Sequence, residues 1–271
     1  MRPVPNRVPA ISAAITVLLL AAAPVASELV PAPPGADARE IAQRAEDTLR
    51  SSRTILEAEM TVVSPRLSGP RVVRFRSWEE RDTKRSMIRI AKPPKDAGTG
   101  FLKIESNLWM FVPRVERTIR IPPSMMLQSW MGSDMTNDDL VKESSTLDDY
   151  DHRLVGIDTA IEDNPGLSAY VVEYIPHEDA PVVWGKITAW IEREYGTPLR
   201  QEFYDEDGQL MRRMRFSDIR AVGERRVPHH WSMVPLDKEG HSTTITIDEI
   251  VFDAEIAADV FTKRNLRKAR R

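Results

Sequence analysis

The sequence predicts an α+β protein built on one large, curved antiparallel sheet with helices on its concave face. Two observations predict this class. Apolar and polar residues alternate with a period of two in many short runs, which is typical of strands with one wet face. Helical periodicity is confined to one segment near the start and to an insert in the middle. The order of helix, meander, helical insert and second meander is an α+β order, and we expect a single domain over residues 37–262 of the 271.

The N-terminus has the features of an export signal. Arg2 and Arg7 precede the uncharged run Ala10–Ala23, and Val25–Ser27 supplies a small-residue cleavage site. The apolar run is short for a permanent membrane anchor. We therefore predict a cleaved signal peptide over residues 1–27, followed by a Pro-rich leader over residues 28–36 that acts as an extended spacer.

The first elements of the mature chain follow from periodicity. Apolar residues at Ile41, Ala45 and Leu49 predict an amphipathic helix within Asp37–Ser52, with Asp37 as its N-cap. Alternation then predicts a first meander of six strands, around 56–62, 73–76, 87–90, 99–104, 107–112 and 118–121.

A Met-rich insert, Ile119–Val141, follows this meander and contains Trp130 and four of the 11 methionines. Pro122-Pro123 predicts a helix start, because proline suits the first turn of a helix. Methionine fills irregular space and adapts to varied partners, so the insert is either an adaptable lid over the sheet or a plug of the core. The predicted helix places four residues on one apolar stripe: Met126, Leu127, Trp130 and Met131.

The second half begins with a further helix start and returns to strands. Thr136–Asp139 resembles a capping box and predicts a short second helix. Seven strands are predicted after it, around 150–156, 168–175, 185–192, 199–204, 210–216, 227–234 and 242–252. Asp207-Gly208 is a hairpin-turn signal between two of them, and a brief helix is expected around Ala257–Phe261.

The charge pattern excludes a nucleic-acid-binding surface. The formal net charge is −3, and removal of Arg2 and Arg7 with the signal leaves 36 basic against 41 acidic residues, or −5. The basic tail over residues 263–271 is either a contact for anionic surfaces or a frayed, soluble terminus. It contains Lys263, Arg264, Arg267, Lys268, Arg270 and Arg271.

Catalytic and metal-binding patterns do not appear in the sequence. Cysteine is absent, which removes thiol nucleophiles, disulfides and lipidation on cysteine, and no serine lies in a nucleophile elbow. His229 and His230 are adjacent and point to opposite faces of a strand, and no metal-ligand spacing is present. We therefore predict no catalytic residue, no metal and no cofactor.

The aromatic residues favour a ligand cavity instead. Trp109 and Phe111 share one face of a predicted strand, and Trp184 and Trp190 share a face of another extended segment, with Trp231 and Trp78 as further candidates. A single curved sheet with little helix leaves an apolar groove partly unfilled, and such a groove binds an apolar ligand.

Three blocks of the chain resemble the periplasmic outer-membrane lipoprotein-sorting proteins, the LolA-like family. They are Gly98–Lys103, Asn107–Pro113 and Arg120–Val141, whose sequence is RIPPSMMLQSWMGSDMTNDDLV. The resemblance implies an incomplete antiparallel β-barrel closed by helices, with a hydrophobic cavity for acyl chains and no enzymatic activity. It implies a soluble, non-lipidated periplasmic carrier of lipoproteins or free lipids from the inner to the outer membrane.

The resemblance also suggests partners and site residues. The donor would be an inner-membrane transporter, either an efflux-type permease or a lipoprotein-releasing transporter, and an outer-membrane acceptor is possible. Arg74, Arg76 and Arg89 are candidates for a gating arginine. Two alternatives stay open, a lipid-sensing signalling module of the same fold and a lipid hydrolase. The predicted ligand contacts are Phe75, Phe101, Leu102, Leu108, Trp109 and Phe111 in the cavity, with Met125, Met126, Leu127, Trp130 and Met131 as its lid.

Overall fold

The fold is a single open antiparallel sheet of 13 strands. The structure, a computed structural model, describes residues 29–142, 146–180 and 182–268. The predicted signal peptide over residues 1–27 lies outside the described residues, and so do Arg270 and Arg271 of the predicted basic tail.

Two meanders build the sheet, one for each half of the chain. The first comprises β1 (Arg53–Val63), β2 (Arg71–Glu80), β3 (Arg85–Lys92), β4 (Gly100–Ile104), β5 (Asn107–Val112) and β6 (Arg117–Arg120). The second comprises β7 (Tyr150–Asp158), β8 (Ala169–Pro176), β9 (Lys186–Glu192), β10 (Pro198–Tyr204), β11 (Leu210–Val222), β12 (Arg225–Pro235) and β13 (Ser242–Phe252).

The strand order runs β6-β5-β4-β3-β2-β1-β13-β12-β11-β10-β9-β8-β7. The chain therefore moves outward from β1 to one edge, crosses to the opposite edge and returns until β13 pairs with β1. The crossing segment is the Met-rich insert together with residues up to β7. A strand occurs at each of the thirteen positions that the alternation predicts, and Asp207-Gly208 forms the turn between β10 and β11, with Gly208 at φ +80°.

The helices are few and short within the described part of the chain. Helix α1 (Ala38–Leu49) has Asp37 as its N-cap. The carboxylate of Asp37 accepts a hydrogen bond of 2.8 Å from the backbone N–H of Glu40. It packs against β7, β8, β9 and β12. Helix α2 (Asn137–Lys142) begins with the predicted capping box. Its Thr136 backbone N–H donates to Asp139 over 2.8 Å, and the Asp139 N–H donates to the Thr136 hydroxyl over 3.2 Å.

The helix predicted from Pro122-Pro123 is wrong beyond one short turn. Pro123–Met125 forms a 3₁₀ turn, and the chain then leaves helical geometry. Met131 and Gly132 adopt φ of +51° and +76°, left-handed values that a continuous right-handed helix does not contain. The proposed stripe of Met126, Leu127, Trp130 and Met131 therefore does not exist as a helix face.

Tertiary packing of Trp130 explains this departure. Its backbone N–H donates to the carbonyl of Met135 over 2.7 Å, which closes a tight loop. Its indole is 2% exposed and meets the rings of Phe75 and Phe101 edge to face, with centroids 5.7 Å away in both pairs. Burial of a large aromatic side chain outweighs the weak helix preference of this short segment.

The C-terminal residues belong to the fold rather than to a frayed tail. After a 3₁₀ turn, Ala258–Phe261, helix α3 (Lys263–Leu266) covers the face of β3–β5 opposite to Trp130. Leu266 is 0% exposed, and the guanidinium of Arg89 donates to the carbonyls of Asn265 and Leu266 over 2.7 and 3.0 Å. The first meander is therefore covered on both faces at this point, instead of having one wet face.

Candidate ligand-binding cavity

A cavity of about 190 Å³ lies between α1, the Met-rich insert and one face of strands β7–β12. Its floor takes side chains from six neighbouring strands, which share a face because paired positions in antiparallel strands point the same way. Tyr174 pairs with Ile187, Ile187 pairs with Phe203, and Met214 pairs with Met233.

Helix α1 forms one wall through residues at helical spacing. Ala42, Ala45, Glu46 and Leu49 recur at i, i+3, i+4 and i+7, so one side of the helix faces the cavity. Ala42 and Ala45 are small and buried. Their methyl side chains leave space between the helix and the sheet that larger residues would fill.

Aromatic side chains line much of the remaining surface. The ring of Trp184 lies 5.3 Å from that of Phe203, and Phe216 meets Trp231 edge to face at 5.7 Å. Apolar and aromatic walls are typical of sites for small apolar ligands, although five charged side chains also border this cavity: Glu46, Arg50, Asp138, Asp139 and Arg212.

An ion pair joins the insert to the sheet at the cavity wall. Both Nη atoms of Arg212 on β11 donate to the carboxylate of Asp139, over 2.8 and 3.0 Å. Arg212 is 7% exposed, and its guanidinium carbon lies 4.1 Å from the ring centroid of Phe203 and 4.5 Å from that of Trp184. Burial opposes the negative charge of Asp139, yet its pKa is lowered because the charge and hydrogen bonds of Arg212 outweigh that burial, aided by Thr136.

Two tyrosines form the polar side of the cavity near α1. Tyr150 and Tyr174 are 3% and 6% exposed, and their rings meet edge to face with centroids 6.4 Å apart. Burial raises the pKa of both hydroxyls above the ordinary value. Both phenols therefore stay protonated at neutral pH.

None of the eleven predicted ligand contacts lines this cavity. Four of them, Phe75, Phe101, Leu108 and Trp130, form a buried cluster under the insert. The insert residues Met125, Met126 and Met131 pack on that cluster. Leu102, Trp109 and Phe111 lie on the opposite face of β4 and β5, against the C-terminal residues, and Leu127 is 62% exposed.

Sequence reasoning found part of the cavity through its tryptophans. Trp184 and Trp231 line it, as the aromatic pattern suggested. The expectation that Trp184 and Trp190 share a face is wrong, because β9 begins at Lys186 and the alternation does not extend back to Trp184. Trp190 packs in a separate cluster, and its indole N–H donates to Asp158 over 3.0 Å.

The residues that the sequence reasoning missed carried weaker signals. Tyr174, Phe203 and Met214 are ordinary apolar positions of three predicted strands, and only the pairing of those strands brings them together.

The three candidate gating arginines are engaged elsewhere. Arg74 and Arg76 pair with Glu59 and Glu57, Arg89 binds the C-terminal carbonyls, and none of the three lines the cavity.

Catalytic chemistry has one structural candidate outside the cavity. The Ser64 hydroxyl lies 3.2 Å from Nε2 of His241, whose Nδ1 lies 3.4 Å from Asp134. Asp134 also accepts a hydrogen bond of 2.8 Å from the Thr243 hydroxyl, which ties the insert to β13.

Within the described ranges, no group of three or more His, Asp or Glu side chains is placed to hold a metal ion. No described helix is both long and apolar enough to cross a bilayer.

The fold has known structural relatives. A DUF1329 family protein from Desulfovibrio piger superposes with a TM-score of 0.75 at 21% identity, over 84% of this chain and 97% of the other. A domain from Vibrio parahaemolyticus, provisionally described as an outer membrane lipoprotein-sorting protein, gives 0.71 at 23% identity, over 85% and 98%. A LolA superfamily protein from Nitrosomonas europaea gives 0.69 at 19% identity, over 85% and 99%.

These likenesses define the class of fold. The chain has the LolA-like fold, a large open antiparallel sheet with few helices, which confirms the resemblance seen in the sequence. A family model described as "Uncharacterized protein" matches residues 82–268, more than half of the chain, and the chain belongs to that family. No curated protein matches the sequence.

Proposed function

We propose that this protein is a periplasmic carrier that binds acyl chains of lipoproteins or lipids and moves them from the inner to the outer membrane. The observation that supports it most is the cavity itself: an apolar and aromatic space between α1, the insert and the sheet. The LolA-like fold supports the same class of function, and the signal-like residues 1–27 support export.

The affinity needed for such a ligand follows from burial alone. Each methylene group moved from water into an apolar site contributes about 0.8 kcal/mol, so a long chain supplies on the order of 10 kcal/mol before ordering costs. A carrier of this kind needs neither a metal nor a cofactor. It must instead cover the chain when loaded and uncover it on delivery.

The Met-rich insert and α1 are the cover in this proposal, and the sheet face beneath them is the concave face. Asp139 of the insert holds Arg212 of β11, and Met135 of the same insert lines the cavity. Movement of the insert would also uncover the cluster of Phe75, Phe101 and Trp130. Seven of the eleven residues first predicted as ligand contacts lie in or on this cluster and remain candidates for an opened state, whereas Leu102, Trp109 and Phe111 lie on the other face of the sheet and Leu127 is exposed.

Direction of transport would be set by partners. In this proposal an inner-membrane transporter, an efflux-type permease or a lipoprotein-releasing transporter, donates the ligand. An outer-membrane acceptor receives it. The carrier itself is soluble, is not lipidated and performs no catalysis.

Filling the cavity tests this function. Ala45→Phe puts a ring into the space beside α1, and we expect at least a tenfold loss of affinity for a fluorescent fatty acyl probe. The fold should remain intact, because the ring enters existing space rather than a packed core. Ala221→Phe, at an exposed position of β11, is the matched control and should bind normally. Equal affinity of both variants and the original protein would contradict the proposal.

The Ser64–His241–Asp134 arrangement is the one observation that favours a lipid hydrolase instead. Its geometry approaches that of a catalytic triad, although it lies at strand ends and away from the cavity. Ester hydrolysis that Ser64→Ala abolishes would support the hydrolase. Lipid binding without turnover would support the carrier.

A further inference from the structure

The edge of the sheet formed by β5, β6 and α3 carries an excess of positive charge. Residues 107–120 and 263–268 contain seven arginines and lysines but one acid, Glu116, whereas the whole chain has a net charge of −3. One of the seven, Lys268, approaches Asp259 at 3.8 Å. The other six are all exposed and are called the basic edge below: Arg114, Arg117, Arg120, Lys263, Arg264 and Arg267.

Tertiary packing brings the two segments of the basic edge together. The Nζ atom of Lys263 lies 4.3 Å from the ring centroid of Trp109 on β5, and Trp109 pairs with Arg120 on β6. Leu266 of α3 belongs to the same buried cluster as Phe111 of β5. The basic residues of α3 and those of the β5–β6 hairpin therefore lie at one edge of the sheet, although they are far apart in the chain.

The basic edge lacks the ion pairs that neutralise arginines elsewhere on the sheet. Arg74 on β2, for example, pairs with Glu59 over 2.7 Å. Among the described residues, no carboxylate lies within ion-pair distance of the six side chains of the basic edge. Arg120 instead contacts the neutral amide oxygen of Asn107. The positive charge of this edge is therefore not compensated within the described chain.

Exposed apolar side chains lie among these charges. Val115, in the turn between β5 and β6, is 58% exposed, and Ile119 on β6 is 40% exposed. Arg114 and Arg117 flank the turn on either side of Val115. A mixture of basic and apolar side chains suits a membrane interface, where the apolar groups enter the acyl boundary and the basic groups meet anionic headgroups.

Other roles explain less of this surface. Basic residues on an edge strand hinder pairing with strands of other chains. That role needs charge on β6 alone, and it explains neither the exposed Val115 nor the basic residues of α3. An acidic protein would offer carboxylates at fixed positions, whereas mobile headgroups adapt to long side chains that have no fixed partner.

We propose that the basic edge docks the protein reversibly on an anionic phospholipid surface, with Val115 at the acyl boundary. Each basic residue held near such a surface strengthens binding about fivefold, so the six act together even though the chain is acidic overall. This docking goes beyond the carrier function, because none of the residues of the basic edge lines the cavity.

Sedimentation with large unilamellar vesicles tests the proposal on the full mature chain. Vesicles of phosphatidylcholine alone are compared with an equal mixture of phosphatidylcholine and phosphatidylglycerol. We expect binding to the mixed vesicles only, and weaker binding in high salt because mobile ions screen the attraction. Arg117→Gln and Arg267→Gln should each weaken binding about fivefold. Arg193→Gln, exposed in the turn after β9, is the matched control and should bind as the original protein does.

Val115→Ser distinguishes a membrane from an acidic protein as the partner. This variant keeps every charge, so it should bind polyglutamate normally and bind the mixed vesicles at least about threefold more weakly, through lost apolar contact. Polyglutamate bound more tightly than the mixed vesicles would assign the surface to an acidic protein and overturn the proposal.

Equal binding to the two kinds of vesicle, or unchanged binding in both arginine variants, would overturn it as well. All substituted positions are exposed, and equal melting temperatures of the variants show that the fold is intact. Ala45→Phe, which fills the cavity, should dock normally, so failure of docking and failure of the carrier function are distinguishable.

Discussion

At the scale of single residues, the contact with the largest expected energetic effect at the cavity is the ion pair of Arg212 and Asp139. Two charged hydrogen bonds and two aromatic faces surround a guanidinium that is nearly out of water. Removal of one partner from a buried pair leaves an unmet charge, which is more costly than removal of both. Asp139 also belongs to the capping box of α2, so it links the start of that helix to β11.

Asp139→Asn tests this link. We expect a loss of about 3–5 kcal/mol in the free energy of unfolding, because Arg212 would stay buried without its counter-charge. Asp163→Asn is the control, since the Asp163–Arg215 pair is about a third exposed and should cost under about 1 kcal/mol. Urea unfolding of the three proteins gives the comparison, and equal losses in both variants would contradict the assignment.

The Arg212–Asp139 ion pair also predicts that the stability of the protein depends on pH. The pKa of Asp139 is lower in the folded protein than the ordinary value of about 3.9, so its stabilising effect is full above that value. The effect is lost as pH falls through the folded pKa. The difference in stability between the original protein and Asp139→Asn should therefore be constant near neutrality and shrink below about pH 4. A difference that persists unchanged in acid would show that it does not arise from the charge.

Trp130 and Leu127 illustrate how far neighbours in sequence can differ in role. Trp130 is 2% exposed in the core and Leu127 is 62% exposed. We expect Trp130→Ala to lower the free energy of unfolding by about 3–5 kcal/mol through a cavity, and Leu127→Ala to change it by less than about 0.5 kcal/mol. Chemical denaturation measures both. Similar values would mean that Trp130 is not packed as described.

At the scale of elements, the insert is held to the sheet at several points along its length. The guanidinium of Arg71 donates to the Met131 carbonyl over 2.7 Å, the Thr243 hydroxyl to Asp134 over 2.8 Å, and Arg212 to Asp139. Side chains on β2, β13 and β11 therefore fix an element with little regular structure of its own. The buried Trp130 anchors the insert as well, so its detachment from the sheet would expose part of the core cluster.

The C-terminal helix α3 is the second element whose role the contacts define. It is only four residues long, so its stability comes from burial of Leu266 and from the hydrogen bonds of Arg89. We expect Leu266→Ala to cost about 2–5 kcal/mol, against less than about 0.5 kcal/mol for the exposed Arg267→Ala. Thermal unfolding compares them, and a neutral Leu266→Ala would restore the frayed-tail alternative.

At the scale of the whole molecule, the pairing of β1 with β13 joins the start and the end of the sheet. The cavity uses α1, the insert and the second meander, so it forms only when distant parts of the chain are in place. A ligand that binds only this assembled state stabilises the whole fold.

This linkage gives a prediction on the intact protein. At a free ligand concentration about 100-fold above its dissociation constant, we expect a stabilisation of about 2.7 kcal/mol, seen as a higher melting temperature. Ala45→Phe should remove the increase and Ala221→Phe should retain it. A stabilisation that survives in Ala45→Phe would place the ligand elsewhere on the protein.

The sequence predicted the thirteen strand positions, helix α1 and its cap, and the capping box of α2. These features are local, because a period of two, a cap and a turn motif each depend on neighbouring residues. The LolA-like class was indicated by resemblance to a known family. The eleven ligand contacts remain predictions, and none lies on the cavity wall. The prediction of a helix in the insert was wrong because Trp130 packs in a core formed by strands that are distant in sequence.

What the sequence by itself determined, then, is the set of elements and the apolar face of most strands. Only the tertiary structure decided which faces meet and that residues of α1 and Arg212 border one cavity. The reason is physical. Alternation defines the two sides of a strand, but strand order and register decide which side chains from remote segments become neighbours.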